Sequence, residues 1–153
     1  MADMNASRRI FALIAQCEQT ISQVYARYAA RFPEDAEFWD GLARDEARHG
    51  VWALDLQSKV DSGLLLVTPR HDNVAVYEEY ADFLRAQLAE ANAPTLSPLQ
   101  AFATAHLIEK SYIERHLLEV ADTDSPELLR VLTMLSRDTE RHRDSLEARR
   151  PRR

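Results

Sequence analysis

Five residues stand where a packed helix expects carbon. The series Phe11, Ile14, Glu18, Ile21, Tyr25, Tyr28, Phe32 advances in alternating steps of three and four, the spacing of one buried helical face. Trp39, Leu42, Glu46, His49, Ala53, Leu56 advances in the same way. Within it, Glu46-x-x-His49 sets a carboxylate and an imidazole one turn apart on that face. Further along, the series are Phe102, His106, Glu109, Ile113, His116, Val120 and Leu128, Leu132, Leu135, Thr139, His142, Leu146. An unpaired charge inside a core costs several kcal/mol. Glu18, Glu46, His49, Glu109 and His142 therefore need partners, either metal ions or a structural polar network in which an acid pairs with an arginine such as Arg27 or Arg115. Hard carboxylate oxygen together with imidazole nitrogen suits a pair of iron or manganese ions, whose charge balances the acids.

The elements that must position these groups follow from the punctuation. The periodicity predicts helices over 5–32 and 34–60, with Pro33 between them and Gly63 closing the second. Residues 63–73 read as an irregular crossover. Leu64-Leu65-Leu66-Val67 is strand-like there but has no evident partner. An extra amphipathic helix is predicted over 74–91, ending before Pro94. Ser97-Pro98 and Ser125-Pro126 each give an N-cap followed by proline at the first helical position, so helices are predicted over 98–122 and 126–147. Residues 1–148 form one domain in this reading, and the arginine-rich stretch 149–153 is expected to be a disordered tail.

The chain also repeats itself. Leu42 to His49 aligns without gaps on Leu135 to His142, and Glu18 precedes His49 by 31 positions as Glu109 precedes His142 by 33. Each half is a helical hairpin with an acid in its first helix and a histidine in its second. The predicted fold class is all-α: a four-helix bundle with one long crossover carrying the extra helix.

Composition agrees with a globular domain and narrows the partners. The 153 residues are 46% hydrophobic and 29% charged, with only three glycines, too few turn residues for a many-stranded barrel. A net charge of −6 disfavours a nucleic-acid partner. Cys17 is the single cysteine, which excludes an intrachain disulfide and a CxxC metal knuckle. No apolar run has the roughly 18 residues of a membrane span. Arg8-Arg9 before Ile10 to Ala15 superficially suggests a signal sequence, but the apolar run is short and continues into the first helix. The expectation is a cytoplasmic protein without membrane contact.

These seams resemble the ferritin-like superfamily of di-iron carboxylate proteins, most closely its rubrerythrin-type members. The resemblance covers the bundle helices. It implies that Glu18 and Glu109 are outer carboxylates, that Glu46 bridges two metals, and that His49 and His142 each cap one. One ligand departs from the pattern: Thr139 stands where the second bridging Glu belongs. Glu140 lies about 100° around the helix from it. Asp138, four residues before His142, is the candidate replacement ligand, with His106 and His116 as others; the remaining alternative is one metal position weakened or lost. The resemblance further implies two iron ions, with manganese or a single metal as alternatives. It implies reduction of hydrogen peroxide or dioxygen, or oxidation of ferrous iron, with electrons from a separate donor protein, and a homodimer. Tyr25, two turns from Glu18, is the candidate to hydrogen-bond a ligand or donate an electron. A degenerate bundle serving as a binding or regulatory module, and a substrate hydroxylase, are the competing functions.

Overall fold

The computed structural model describes residues 2–64, 68–69, 74–110, 121–122 and 126–150. Among these the chain is all-helical apart from one two-residue strand pair, with five α-helices. They are α1 (Ala2–Arg31), α2 (Ala36–Asp61), α3 (Val74–Glu90), α4 (Pro98–Lys110) and α5 (Pro126–Arg149). None is long and apolar enough to cross a membrane.

Helix α1 has 30 residues, a length of about 45 Å, and it is the spine of the molecule. Its buried face carries Ile10, Phe11, Ile14, Cys17, Glu18, Ile21, Val24, Tyr25 and Tyr28, and α2 packs along it. Proline cannot continue α1, so Pro33–Asp35 form a single 3-10 turn. The Asp35 amide donates to the Phe32 carbonyl at 2.9 Å. Ser22 Oγ then donates to the Ala43 carbonyl at 2.7 Å and fixes the register of the two helices. Gly63 ends the hairpin at φ 78°, a left-handed conformation that glycine adopts without a Cβ clash.

Helix α3 lies on α1 through Tyr77, Tyr80, Ala81 and Leu84. The Tyr80 hydroxyl donates to the Ile108 carbonyl at 3.2 Å and ties α3 to α4. Helix α4 opens with reciprocal caps: the Gln100 amide donates to Ser97 Oγ at 3.1 Å, and the Ser97 amide donates to Gln100 Oε1 at 2.8 Å. Helix α5 packs on α4 and α2. Its buried residues are Leu128, Leu132, Leu135, Thr139, His142 and Leu146, the predicted seam.

Three expectations change. The helix predicted over 98–122 does not reach its end: Ala121–Asp122 form a strand, β2, antiparallel to β1 (Thr68–Pro69), with Thr68 opposite Asp122. The run Asp122-Thr123-Asp124-Ser125 before Pro126 is rich in residues that compete with helical hydrogen bonds, and the residue before proline disfavours the α region. The crossover thus supplies a strand with a partner after all, just beyond Leu64 to Val67. Residues 65–67 and 111–120 lie outside the described residues, and with them the readings of Ile113, His116 and Val120. Arg149, assigned to the tail, is instead the last residue of α5. Its guanidinium sits 3.0 Å from Asp35 and 5.3 Å over the Phe38 ring. Residues 151–153 of the predicted tail lie outside the described residues.

Candidate metal centre

Above the Glu18 level the core is aromatic. Trp39 is fully buried, with ring centroids 5.6 Å from Tyr25, 4.9 Å from Tyr28 and 4.8 Å from Phe102. At the Glu18 level carbon gives way to acids and imidazoles from four helices. One turn of helix separates Glu46 from His49, so α2 directs both inward. α1 adds Glu18, α4 adds Glu109 and α5 adds His142, all five buried. A small residue lets α2 approach α1 here. A Cβ on Gly50 would stand 3.3 Å from Gln19 Cγ and 3.7 Å from Glu18 Cβ.

These five side chains make two triads that can each hold a metal ion. The triads are Glu18, Glu46, His49 and Glu46, Glu109, His142, with potential ligand atoms of each within 4.8 Å of one another. Glu46 belongs to both. His49 turns Nδ1 toward Glu46 Oε2 at 3.3 Å and Glu18 Oε2 at 3.8 Å. His142 turns Nδ1 toward Glu46 Oε1 at 2.9 Å and Glu109 Oε1 at 3.5 Å. The two carboxylate oxygens of Glu46 thus face different histidines, and the imidazole rings lie 5.9 Å apart, 24° from parallel.

The outer nitrogens are held crosswise. His49, on α2, meets Asp138 of α5 at 2.9 Å through Nε2, and His142, on α5, meets Asp45 of α2 at 3.0 Å through Nε2. Each aspartate lies four residues before the histidine of its own helix and bonds to the histidine of the other. Arg141 spans the two aspartates, 2.7 Å from Asp138 and 3.7 Å from Asp45, and Arg48 pairs with Asp45. Carboxylates on the outer nitrogens orient histidine ligands and raise their basicity. Trp52 stacks on His49 at 5.5 Å.

Left to itself, the cluster is short of hydrogen bonds. Among the described residues both Glu18 oxygens, Glu46 Oε1, His142 Nδ1 and Thr139 Oγ1 are buried and make none; the 2.9 Å approach of His142 to Glu46 is an ion-pair contact without hydrogen-bond alignment. Burial, then the neighbouring Glu46, pushes the Glu18 carboxyl up to about 8. Burial acts to lower His49, but the Glu18 and Glu46 carboxylates beside it outweigh burial and raise the imidazole to about 12. The carboxylates of Glu109 and Glu46 likewise raise His142 to about 11 against burial. Metal ions would replace these protons as counter-charge. The donor set and the orphaned oxygens both fit that role.

The other predicted residues fall as follows. Tyr25 donates its hydroxyl to Glu109 Oε1 at 2.8 Å, and burial, then the Glu109 charge, holds its pKa well above the usual tyrosine value. Asp138 joins neither triad: as an α5 residue four before His142 it faces the rim, and its carboxylate reaches the far side of His49. Burial raises its pKa, but the His49 contact and the Arg141 charge outweigh that and lower it. His106 is half-buried on α4 and outside both triads. Thr139 is buried on the His142 face, one turn before it, as Glu46 precedes His49. Sequence reasoning did not single out Asp45, Arg141 or Gly50. For Asp45 the signal was present, since the repeat aligns it with Asp138. Comparison with known protein families, characterised proteins and solved structures finds no match to this chain.

Proposed function

We propose that this chain is a non-haem di-metal oxidoreductase of the ferritin-like, rubrerythrin type, with a four-helix bundle as its scaffold. Its metals in this reading are two iron ions, with manganese as the alternative. Its reaction is the reduction of hydrogen peroxide or dioxygen, or the oxidation of ferrous iron. The observation that carries the reading is Glu46, whose two oxygens serve two triads that share no other residue. Glu18 with His49 would hold one metal, Glu109 with His142 the other, and Glu46 would join them. Bound there, a pair of reduced ions supplies two electrons to an oxygen substrate.

The chain's own residues supply the setting. Asp138 and Asp45 fix the ring orientation of His49 and His142 and keep each Nδ1 turned toward the site. Tyr25 holds Glu109 in place and offers a proton at its hydroxyl 2.8 Å from that carboxylate. The aromatic wall of Tyr25, Trp39 and Phe102 excludes water from one side. The proposed electron source is a donor outside these 153 residues, whose single cysteine cannot ligate an iron–sulfur centre by itself. A homodimer is the proposed assembly, tested by light scattering.

A second reading rests on Thr139, which supplies no charge. In it the bundle holds one metal or none and acts as a binding module. Anaerobic loading with ferrous iron, followed by elemental analysis, separates the two. The oxidoreductase reading expects two irons per chain, one after Glu18→Ala and none after Glu46→Ala, with peroxide turnover lost in the latter. Wild-type protein that retains no iron, manganese or zinc sinks it.

A further inference from the structure

Thr139 is more than a missing ligand, because of what its side chain keeps and what it lacks. Relative to glutamate it keeps carbon at the β and γ positions and lacks the terminal carboxylate. That missing group has the composition of formate. Its hydroxyl is a hydrogen-bond donor inside the core with no partner among the described residues, in a residue more than nine-tenths buried. The repeat and the crossed Asp–His pairs relate α2 to α5, so Thr139 stands where that relation places a counterpart of Glu46.

Charge points the same way. Among the described residues three carboxylates (Glu18, Glu46 and Glu109) face the two metal positions, and two divalent cations would exceed them by one positive charge. Asp45 and Asp138 do not make up the difference, because Arg48 and Arg141 are paired with them. An uncompensated charge in a dry core is strongly unfavourable, and a single monoanion removes it.

We propose that Thr139 opens a slot for a small exogenous carboxylate, which bridges the metal pair opposite Glu46 and accepts a hydrogen bond from the Thr139 hydroxyl. The centre is then completed by a solute rather than by the chain. This rests on the two-metal reading above. It makes occupancy of the second metal position depend on a small organic acid.

The test is metal binding by calorimetry, with cobalt(II) as the metal and formate as the probe, in a carboxylate-free buffer. Wild-type protein should take up two cobalt ions per chain, the second at least tenfold more tightly in saturating formate, with one formate bound per pair and a saturable change in the visible cobalt spectrum. Thr139→Glu should bind two ions with no formate response. Thr139→Leu, which fills the slot with carbon as the neighbouring seam positions do, should lose the formate response even if the Glu variant does not fold. Thr139→Val should keep it, weakened about fivefold by loss of the hydroxyl donor. Two ions bound in the wild type with no effect of formate would overturn the slot and leave the two-metal reading standing. So would a formate response that survives in Thr139→Leu. Failure of the wild type to bind cobalt with or without formate would overturn both.

Discussion

Replacing Asp138 by Asn should weaken the metal position formed by residues of α1 and α2, although Asp138 belongs to α5. The carboxylate lies 2.9 Å from His49 Nε2, and Asn keeps the shape and one acceptor while removing the charge. A unit charge pair at that distance is bounded at about 6 kcal/mol for an effective dielectric near 20. The true effect is smaller, because Arg141 at 2.7 Å competes for the same carboxylate and the group is partly solvated. Loss of such a partner costs about 10- to 100-fold in metal affinity, or about 1.4–2.8 kcal/mol. Calorimetric titration with cobalt(II) measures it, and a double-mutant cycle assigns it. In a His49→Ala background, Asp138→Asn should add less than about 0.5 kcal/mol, because the group it orients is gone. In a His142→Ala background it should retain its full cost. Asp45→Asn should show the mirror pattern, coupled to His142 and indifferent to His49. If Asp138→Asn couples to His142 instead, or costs nothing in either background, the crossed assignment is wrong.

The metal-free protein should be more stable at pH 5 than at pH 8. Glu18 is raised to about 8 and His49 and His142 to about 12 and 11, so the folded chain holds more protons than the unfolded one above about pH 4.5, and stability falls as pH rises; urea denaturation at the two pH values checks the sign. Metal uptake must displace those protons, so affinity should rise with pH through about 8, which titration in buffers of different ionisation enthalpy reads directly. Trp39→Ala should cost about 3–5 kcal/mol, since the ring is fully buried among Tyr25, Tyr28, Phe38 and Phe102; a loss under 1 kcal/mol would mean that this cluster is not tightly packed. Burial, then the Glu18 charge, pushes the Cys17 thiol up to about 12, so a thiol reagent at pH 8 should label it only after unfolding.

Much of this was written in the sequence, for reasons that particular residues make plain. The seam from Leu128 to Leu146 is legible because a helix repeats its face every three or four residues, and α5 buries those positions. The same rule brings Glu18, Glu46, His49, Glu109 and His142 inward. Periodicity assigns a face but not a reach, and Asp138 shows the difference. From its place near His142 it was read as a ligand, whereas the packing of α5 on α2 delivers it to the outer nitrogen of His49. No one-dimensional pattern contains that crossing distance. The strand pair of Thr68–Pro69 with Ala121–Asp122 was hidden for a similar reason. Pairing joins segments more than fifty residues apart, and neither is long enough to show an alternation.

The crossed aspartates also bear on how such a chain could have arisen. Asp45 and His49 sit on one helix and Asp138 and His142 on another, and each aspartate satisfies its counterpart's histidine. That is the contact pattern of an isologous interface, in which one surface recognises a copy of itself. Two free copies of the α1–α2 hairpin related by a two-fold axis would make both bonds with the residues of α2 alone. Such a pair would also bring two copies of Glu46 to the centre. In the present chain only one half carries that acid, Glu46, and the corresponding position of the other half holds Thr139. Within one chain the two halves need not be identical, so a two-fold contact pattern can coexist with an unequal pair of residues at its centre.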